Sequence, residues 1–177
     1  MCALNEVKGM NLNMKSRLNI IRKGVRCFCI QDNKCVCIKT NESSFKPGFF
    51  DIPGGKIEKN ETIEEAVIRE YKEETGTDIL NPVYRGIINV VFPKGTYQYH
   101  TFISDSFKGT LVETEEATPF LLDINKILSS EKRFACTVML EPSFLKVLLD
   151  KSKSFELTVY TNEQEIINGI SFTIKEL

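Results

Sequence analysis

Three glutamates near the end of one predicted helix carry the clearest chemistry in this sequence. Glu70, Glu73 and Glu74 stand at positions i, i+3 and i+4, so a helix places their side chains on one face. Like charges at this spacing destabilise a helix by about 0.2–0.5 kcal/mol per pair, and the helix dipole disfavours anions in the last turn. A divalent cation removes this conflict, because carboxylate oxygens are hard ligands suited to Mg²⁺ or Mn²⁺. The pattern therefore predicts a metal site, and a solvated acidic helix face is the alternative.

The helix that carries these glutamates is predicted over residues 62–75. Thr62 and Glu65 form a T-x-x-E capping box at its start, and Gly76 is a natural stop at its end. Four apolar residues fall at helical spacing and would face a core: Ile63, Ala66, Val67 and Tyr71.

A glycine pair precedes the helix in the loop P-G-G-K, residues 53–56. Because Gly54 and Gly55 have no side chain, the backbone carbonyl and amide groups of this loop can approach a ligand closely. We therefore expect the loop to contribute to the site that the glutamates begin.

Strand signals surround the helix. The segment RKGVRCFCIQDNKCVCIKT, residues 22–40, predicts two strands joined by a polar turn at residues 31–34. Further elements are predicted along the chain: YRGIINVVF, TYQYHTFISD, SFELTVYT and GISFTIKEL as strands, and DINKILSS and EPSFLKVLLDKS as helices. This mixed order predicts one α/β or α+β sandwich around a mixed sheet.

The composition is that of one soluble globular domain. The chain has 177 residues and a net charge of −1, with 42% hydrophobic and 27% charged residues. The near-neutral balance offers no basic surface for a nucleic acid polymer, and no apolar run approaches the ~20 residues of a membrane helix. Residues 1–16 are interpreted as a loosely ordered leader and residues 17–177 as the domain. Since the start of the chain has no signal-peptide pattern, we expect a cytoplasmic location.

Four of the six cysteines form two Cys-x-Cys pairs across the predicted first hairpin. Alternate residues of a strand share one face, so the hairpin could bring four sulfurs together, and a zinc site is conceivable. Structural zinc sites, however, usually space their ligand pairs as C-x2–4-C. The favoured interpretation is small buried residues with reduced thiols. The pairs are Cys27 with Cys29 and Cys35 with Cys37.

The spacing around the helix resembles the Nudix box, G-x5-E-x7-R-E-U-x-E-E-x-G-U. Two of the softer positions depart, because Tyr71 and Thr77 stand where the family prefers aliphatic residues. Neither departure touches a residue expected to do chemistry. All charged and glycine positions of the box are matched within 22 residues: Gly55, Glu61, Arg69, Glu70, Glu73, Glu74 and Gly76.

The resemblance to Nudix hydrolases implies a fold, a metal and its ligands. The implied fold is an α/β/α sandwich with a central mixed β-sheet. Glu70, Glu73 and Glu74 would bind Mg²⁺, or Mn²⁺ in its place, together with the Gly54 carbonyl. The family attacks phosphorus with water, and either Glu70 or Glu73 would act as the general base.

The same resemblance implies roles for residues around the metal. Arg69 would pair with Glu61 and hold the helix and the loop in register, with a surface ion pair of little consequence as the alternative. Gly55 and Lys56 of the loop are expected to contact the substrate.

Beyond the box, about residues 22–175 resemble the MutT-like oxidised purine nucleoside triphosphatases. Glu116 matches a further metal carboxylate of that subgroup, with a solvated loop acid as the alternative. Asp51 stands where the subgroup commonly carries Asn, and Glu141 lies near an acidic position of the subgroup; both are expected to bind substrate. The subgroup's Trp is missing, because this chain contains none. Residues that could stack on a base instead, each with packing as the alternative, are Phe49, Phe50, Phe92 and Phe120.

The implied activity is Mg²⁺-dependent hydrolysis of a nucleoside triphosphate to the monophosphate and pyrophosphate, with 8-oxo-dGTP as the leading substrate. A nucleotide sugar or a damaged pyrimidine nucleotide is the alternative substrate. A catalytically silent Nudix domain that senses a ligand is the alternative from a different class. The implied partner is a small nucleotide, with neither a nucleic acid polymer nor a membrane, and the chain is expected to be a monomer or a homodimer.

Overall fold

A mixed β-sheet forms the centre of the fold. The computed structural model describes residues 18–41, 48–129, 142–162 and 167–176. The predicted leader and Glu141 therefore lie outside the described residues. In chain order the elements are β1 (Ile20–Gln31), β2 (Lys34–Thr40), β3 (Phe50–Asp51), α1 (Ile63–Thr75), β4 (Asp78–Leu80), β5 (Val83–Phe92), β6 (Gly95–Ser104), β7 (Ser106–Lys108), β8 (Ala117–Asp123), α2 (Ile124–Ser129), α3 (Pro142–Leu149), β9 (Lys153–Thr161) and β10 (Ile167–Glu176).

The large sheet combines parallel and antiparallel pairs of strands. Its strand order is β10-β9-β5-β6-β1-β2-β3, and β8 pairs with β2. β1 runs parallel to β6, and β5 runs parallel to β9. β5 pairs with β6, and β9 with β10, in the antiparallel sense. The predicted mixed sheet is confirmed.

Helices cover both faces of this sheet. On one face, α1 contributes Ala66 to an apolar cluster that also contains Cys27 and Cys29 of β1. On the other face, α3 contributes Phe144 to a cluster that contains Phe28 of β1. Because successive strand residues point to opposite faces, the two clusters lie on opposite sides of the sheet. This arrangement confirms the predicted α/β/α sandwich.

The register of the first hairpin separates its two cysteine pairs. Asp32 and Asn33 form the turn with φ values of 51° and 61°, as hairpin turns of the primed type require. The turn pairs Gln31 with Lys34 and Ile30 with Cys35. If this register continues along both strands, Cys35 and Cys37 of β2 lie on the same face as Phe28. Cys27 and Cys29 of β1 lie on the opposite face.

The four sulfurs therefore do not meet on one face, and the hairpin does not build the four-sulfur arrangement that their spacing made conceivable. Cys27, Cys29, Cys35 and Cys37 are all buried as free thiols. Burial raises the pKa of Cys27 and of Cys29. These cysteines serve as small core residues, as the favoured interpretation predicted.

The predicted elements are found with small shifts at their ends, and four strands were not predicted: the short strands β3, β4 and β7, and the longer β8. β8, with the sequence ATPFLLD, contains Pro119, which argues against a central strand. β8 pairs with β2, where Pro119 lies opposite Ile38. In the described residues, β8 has no second partner strand. A strand with one partner tolerates proline, because its N–H face need not complete a ladder. Within the described ranges, no helix is long and apolar enough to cross a bilayer.

Candidate active site

Caps at both ends fix α1, the helix that carries the three predicted metal carboxylates. Thr62 Oγ1 accepts a hydrogen bond from the Glu65 amide at 3.2 Å, and Glu65 Oε2 accepts one from the Thr62 amide at 2.9 Å. At the other end Gly76 adopts a φ of 71°, and its amide donates to the Lys72 carbonyl at 2.8 Å. The predicted capping box and glycine stop are thus confirmed. They determine where α1 begins and ends, and therefore where its glutamates lie.

The glycine loop is hydrogen-bonded to β1 on both sides of Gly54. The Val25 amide donates to the Gly55 carbonyl, and the Cys27 amide donates to the Pro53 carbonyl, each at 2.9 Å. A Cβ on Gly54 would lie 2.2 Å from the Val25 carbonyl oxygen, and Gly54 has a φ of 145° that favours glycine. The loop can lie this close to β1 because Gly54 has no side chain.

The same loop contacts two glutamates of α1. Glu74 Oε2 accepts a hydrogen bond from the Gly54 amide at 2.7 Å. A Cβ on Gly55 would lie 2.1 Å from Glu70 Oε2, so the Glu70 carboxylate occupies the space that a larger residue would fill. The two glycines therefore let two carboxylates approach the backbone of the loop.

Arg69 is the centre of the charged network. It binds Glu61 through two hydrogen bonds, from Nε at 2.7 Å and from Nη2 at 2.9 Å, and Nη2 also donates to the Lys56 carbonyl at 3.0 Å. Its Nη1 donates to Glu70 at 3.0 Å and to Glu73 at 2.8 Å. The hydrogen bond with Glu61 raises the pKa of Arg69, and the same bond lowers the pKa of Glu61. Arg69 thus ties α1 to the loop and draws two predicted metal carboxylates together.

The positive charges near Glu70 and Glu74 do not fully offset the effect of burial on the pKa values of these acids. Glu70 is 8% exposed, and burial raises its pKa, with repulsion from Glu73 and Glu116 adding to the effect. Burial raises the pKa of Glu74 to about 8, and the attraction of Arg26 offsets only part of that rise. Both effects disfavour the ionised carboxylate. A cation placed beside these acids would favour the ionised form.

These acids fit a divalent cation, although they do not surround a common point. Among the described residues, no three His, Cys, Asp or Glu side chains converge closely enough to hold a metal ion. Glu70 and Glu73 bind Arg69, whereas Glu74 binds the Gly54 amide. Hard cations select carboxylate oxygens. Such a cation would stabilise the ionised carboxylates of Glu70 and Glu74, whose pKa values are raised in its absence. Metal binding therefore requires these side chains to exchange partners.

Asp51, a predicted substrate residue, lies at the end of β3 and pairs with Arg26 of β1. The distance from Asp51 Oδ2 to Arg26 Nη2 is 3.1 Å. Arg26 Nη1 donates to the Gly54 carbonyl, and the guanidinium carbon lies 4.7 Å from the centre of the Tyr99 ring. Sequence reasoning missed Arg26 and Tyr99, because an arginine in a strand is usually an exposed charge. Arg26 stands two residues before Phe28 in β1, so the two side chains share one face of the strand. This spacing was the signal that could have identified Arg26.

The other predicted substrate and metal residues lie at the rim of this network. Lys56 is exposed, and the Gly55 before it faces Glu70. Glu116 is exposed in the loop before β8 and acts electrostatically on Glu70. Glu141 lies outside the described residues, so its position relative to the site stays a prediction.

The phenylalanines considered for base stacking mostly pack on other rings. Phe50 and Phe120 have ring centroids 4.8 Å apart and pack against the cluster under α3. Phe92 packs on Tyr97 with centroids 5.0 Å apart. Phe49 is 41% exposed. Of the four, Phe49 presents the most accessible ring.

Known proteins resemble this chain in sequence and in fold. The family model of the NUDIX domain matches residues 21–133. An uncharacterized Nudix hydrolase, YvcI of Bacillus subtilis, is 32% identical over 62% of this chain and 71% of its own length. An ADP-ribose pyrophosphatase of Methanocaldococcus jannaschii is 40% identical, but the alignment covers only 49% of this chain and 52% of that protein. An 8-oxo-dGTP diphosphatase of Proteus vulgaris is 32% identical over 49% of this chain and 77% of its own length.

The similarity in fold extends further along the chain than the similarity in sequence to these relatives. The crystal structure of a MutT protein from Bacillus halodurans superposes with a TM-score of 0.71 over 86% of this chain and 97% of that protein, at 21% identity. The fold, the matched domain and the intact spacing of the box agree. The chain belongs to the Nudix family of hydrolases, which act on pyrophosphate-bearing nucleotide substrates and generally use divalent metal ions.

Proposed function

We propose that this protein is a Mg²⁺-dependent pyrophosphohydrolase that converts a nucleoside triphosphate to the monophosphate and pyrophosphate, with 8-oxo-dGTP as the leading substrate. The observation that carries the proposal is a pair of acids held against the glycine loop, the buried Glu70 and the half-buried Glu74, whose pKa values are raised by burial. The relative from Proteus vulgaris, named an 8-oxo-dGTP diphosphatase, supports the choice of substrate.

The acids around the loop are the proposed metal ligands. Glu70, Glu73 and Glu74 would hold the ion together with the Gly54 carbonyl, and Glu116 would add a carboxylate from the opposite loop. When bound, Mg²⁺ neutralises phosphate oxygens and makes an attacking water more acidic. Mn²⁺ has the same preference for oxygen ligands and is the expected substitute.

The chain's own groups position the loop and move the proton. Arg69 holds α1 to the loop through Glu61 and the Lys56 carbonyl. Water adds to a phosphorus of the substrate, the bond to the leaving pyrophosphate oxygen breaks, and a carboxylate takes the proton of the water. Glu70 and Glu73 are the two candidates for this base, and either would have to exchange its hydrogen bond with Arg69 Nη1 for one with the water. Asp51, Glu141, Gly55 and Lys56 are the proposed contacts to the rest of the nucleotide.

A panel of nucleotides incubated with Mg²⁺ tests this proposal. The panel contains 8-oxo-dGTP, the four ordinary deoxynucleoside triphosphates, ADP-ribose and a nucleotide sugar, and each product mixture is scored for pyrophosphate, phosphate and nucleoside monophosphate. We expect pyrophosphate and 8-oxo-dGMP from 8-oxo-dGTP, with the highest kcat/KM of the panel. Release of orthophosphate alone, or no turnover of any triphosphate, would contradict the proposal.

Matched variants of α1 connect the activity to the site. Glu73→Gln and Glu74→Gln are each expected to lower kcat by about 10²–10⁴-fold, the first as a candidate base and the second as a proposed metal ligand. Glu64→Gln is the control, because Glu64 is an exposed acid in the first turn of the same helix. Near-normal turnover by Glu73→Gln or Glu74→Gln, with the fold intact, would remove these residues from the reaction.

One observation favours a second substrate class. The relative from Methanocaldococcus jannaschii, at 40% identity over about half of each chain, is named an ADP-ribose pyrophosphatase. Cleavage of ADP-ribose or of a nucleotide sugar, with no turnover of triphosphates, would assign this chain to that class. Tight nucleotide binding without any turnover would instead identify a ligand sensor.

A further inference from the structure

Arg26 of β1 binds the carbonyl of Gly54, which is one of the proposed metal ligands. Its Nη1 donates to the Gly54 carbonyl, and its Nη2 lies 3.1 Å from Asp51 Oδ2. The Tyr99 ring supports the guanidinium, at 4.7 Å from ring centre to guanidinium carbon. The side chains of Arg26 and Asp51 are each only 14% exposed. A largely buried guanidinium therefore contacts an oxygen that the proposed metal ion would use.

Hydrogen bonds with β1 fix the backbone on both sides of this carbonyl. The Cys27 amide donates to the Pro53 carbonyl, and the Val25 amide donates to the Gly55 carbonyl, each at 2.9 Å. Gly54 itself lies close to the strand, because a Cβ on it would be 2.9 Å from Arg26 Cα. Turning the Gly54 carbonyl away from Arg26 would break these hydrogen bonds. A change of partner at this oxygen therefore requires the Arg26 side chain to move.

A divalent cation and the Arg26 guanidinium are unfavourable neighbours at one oxygen. A carbonyl oxygen has two lone pairs, so it has room for two partners. Distances of about 2.1 Å from Mg²⁺ to oxygen and about 2.9 Å from nitrogen to oxygen, however, place the two cations at most about 5 Å apart, where like charges repel. The charge of Arg26 also acts on Glu74: burial raises the pKa of Glu74, and Arg26 has the largest effect in the opposite direction. Arg26 thus influences two of the proposed metal ligands.

We propose that Arg26 competes with the divalent cation for the Gly54 carbonyl and thereby weakens metal binding by the chain without nucleotide. This inference rests on the proposed function, since it concerns the metal ligands named there. Metal binding at this carbonyl requires Arg26 Nη1 to leave it or to remain beside a second cation, and both are unfavourable. The affinity of the site for a metal ion is therefore set in part by a residue that does not bind the ion.

The Kd of Mn²⁺, measured on the full chain without nucleotide from the electron paramagnetic resonance signal of free Mn²⁺, tests this inference. Arg26→Met removes both the hydrogen bond to the carbonyl and the charge. We expect it to lower the Kd by about tenfold or more, the scale of one hydrogen bond to a charged group. Arg26→Met also leaves the Asp51 carboxylate without its partner, and an unpaired carboxylate attracts Mn²⁺ by itself.

The double variant Arg26→Met, Asp51→Asn separates these two effects. Like the wild-type pair, its two side chains together have no net charge. Arg26 contacts the Gly54 carbonyl, whereas Asp51 bonds to Arg26 and to the Ile52 amide. Removing both charges therefore removes more repulsion than attraction at the carbonyl, and we expect the Kd to fall by about fivefold or more relative to wild type.

Arg22→Met is the matched control. Arg22 also lies on β1, with its guanidinium carbon 5.6 Å from the centre of the Tyr97 ring. Its side chain is exposed, so solvent screens its charge, and we expect a Kd within about twofold of wild type. A double variant with the wild-type Kd, or a higher one, would overturn the inference even if Arg26→Met alone binds more tightly. The double variant leaves no charge of the pair without a partner, so it decides the question if Arg26→Met does not fold.

Turnover of nucleotides is scored separately, so that the two proposals can fail separately. A chain whose variants bind Mn²⁺ more tightly as expected, but which hydrolyses no triphosphate, refutes the proposed function and retains the role of Arg26. A chain that hydrolyses triphosphates, with the same Kd for Mn²⁺ in wild type and in the double variant, refutes only the role of Arg26. Failure of the wild type and of both variants to bind Mn²⁺ refutes both.

Discussion

Replacing Glu74 with glutamine should stabilise the metal-free protein at alkaline pH. In the fold, burial raises the pKa of Glu74 to about 8 from an ordinary value of 4.5. The folded chain thus holds this proton more tightly than the unfolded chain does. The cost of ionising Glu74 is therefore absent below pH 4.5, grows as the pH rises, and is complete above about pH 8. Glutamine removes that cost, and its side-chain oxygen can still accept the hydrogen bond of the Gly54 amide.

The size of the effect follows from the same values. At 1.36 kcal/mol per pKa unit, ionisation of a fully enclosed Glu74 would cost about 5 kcal/mol at most. Glu74 is half-buried, and solvent screening reduces the cost, so we expect about 1–2 kcal/mol. The free energy of unfolding of the wild-type chain should fall by that amount, relative to Glu74→Gln, between pH 5 and pH 9.

Urea denaturation at steps of pH from 5 to 9, with a chelator present, measures this difference. Glu64→Gln is the control and should follow the wild-type curve, because Glu64 is exposed at the other end of α1. Saturating Mg²⁺ should then reverse the order at pH 8, since a ligand that binds only the folded state stabilises it. Parallel curves for wild type and Glu74→Gln across the pH range, or no stabilisation of the wild type by Mg²⁺, would refute the reasoning.

Three further changes test other parts of the structure. Gly55→Ala should lower kcat by about tenfold or more, because the new Cβ would lie 2.1 Å from Glu70 Oε2 and small displacements of a catalytic group are costly. Gly169→Ala is the control and should retain activity, because the nearest atom to its new Cβ would be 3.5 Å away. The fully buried Arg85 donates to carbonyls at the end of α3. Arg85→Met leaves these buried acceptors unpaired and should therefore lower the free energy of unfolding, measured in urea, by about 2–3 kcal/mol. A loss below about 0.5 kcal/mol would contradict this structural role. Of the six cysteines, the four in the first hairpin are buried, so a thiol reagent should label at most two in the folded chain, and labelling of more would show that the hairpin opens.

The helix and its surroundings were predictable because their signals are local. Thr62, Glu65 and Gly76 determine the ends of α1 through contacts within a few residues, and each is visible in the sequence. The position of the loop against Glu70 follows from two glycines whose backbone must approach other groups. Such features depend on short stretches of chain, so one sequence is sufficient to predict them.

Contacts that depend on the register of distant strands were not predictable in the same way. The spacing of the Cys-x-Cys pairs allowed four sulfurs on one face, whereas a turn with Asp32 and Asn33 at its centre placed the pairs on opposite faces. Arg85 looks like a solvated strand residue, yet it is fully buried because the end of α3 supplies carbonyl acceptors. The hydrogen bond from the Gly54 amide to Glu74 is likewise a property of the folded loop.

The pairing of the glycine loop with β1 explains why the motif specifies a length as well as residue types. The Gly55 carbonyl is held by the Val25 amide at one end of the spacer, and Glu61 is held by Arg69 at the other. Some of the five residues between these anchors bond through the backbone, since the Lys56 carbonyl accepts from Arg69 and the Ile57 amide donates to the Lys23 carbonyl, so the chemistry of the side chains is less constrained than their number. Adding or deleting one of them would leave one anchor out of reach, so this segment tolerates substitution but not a change in length.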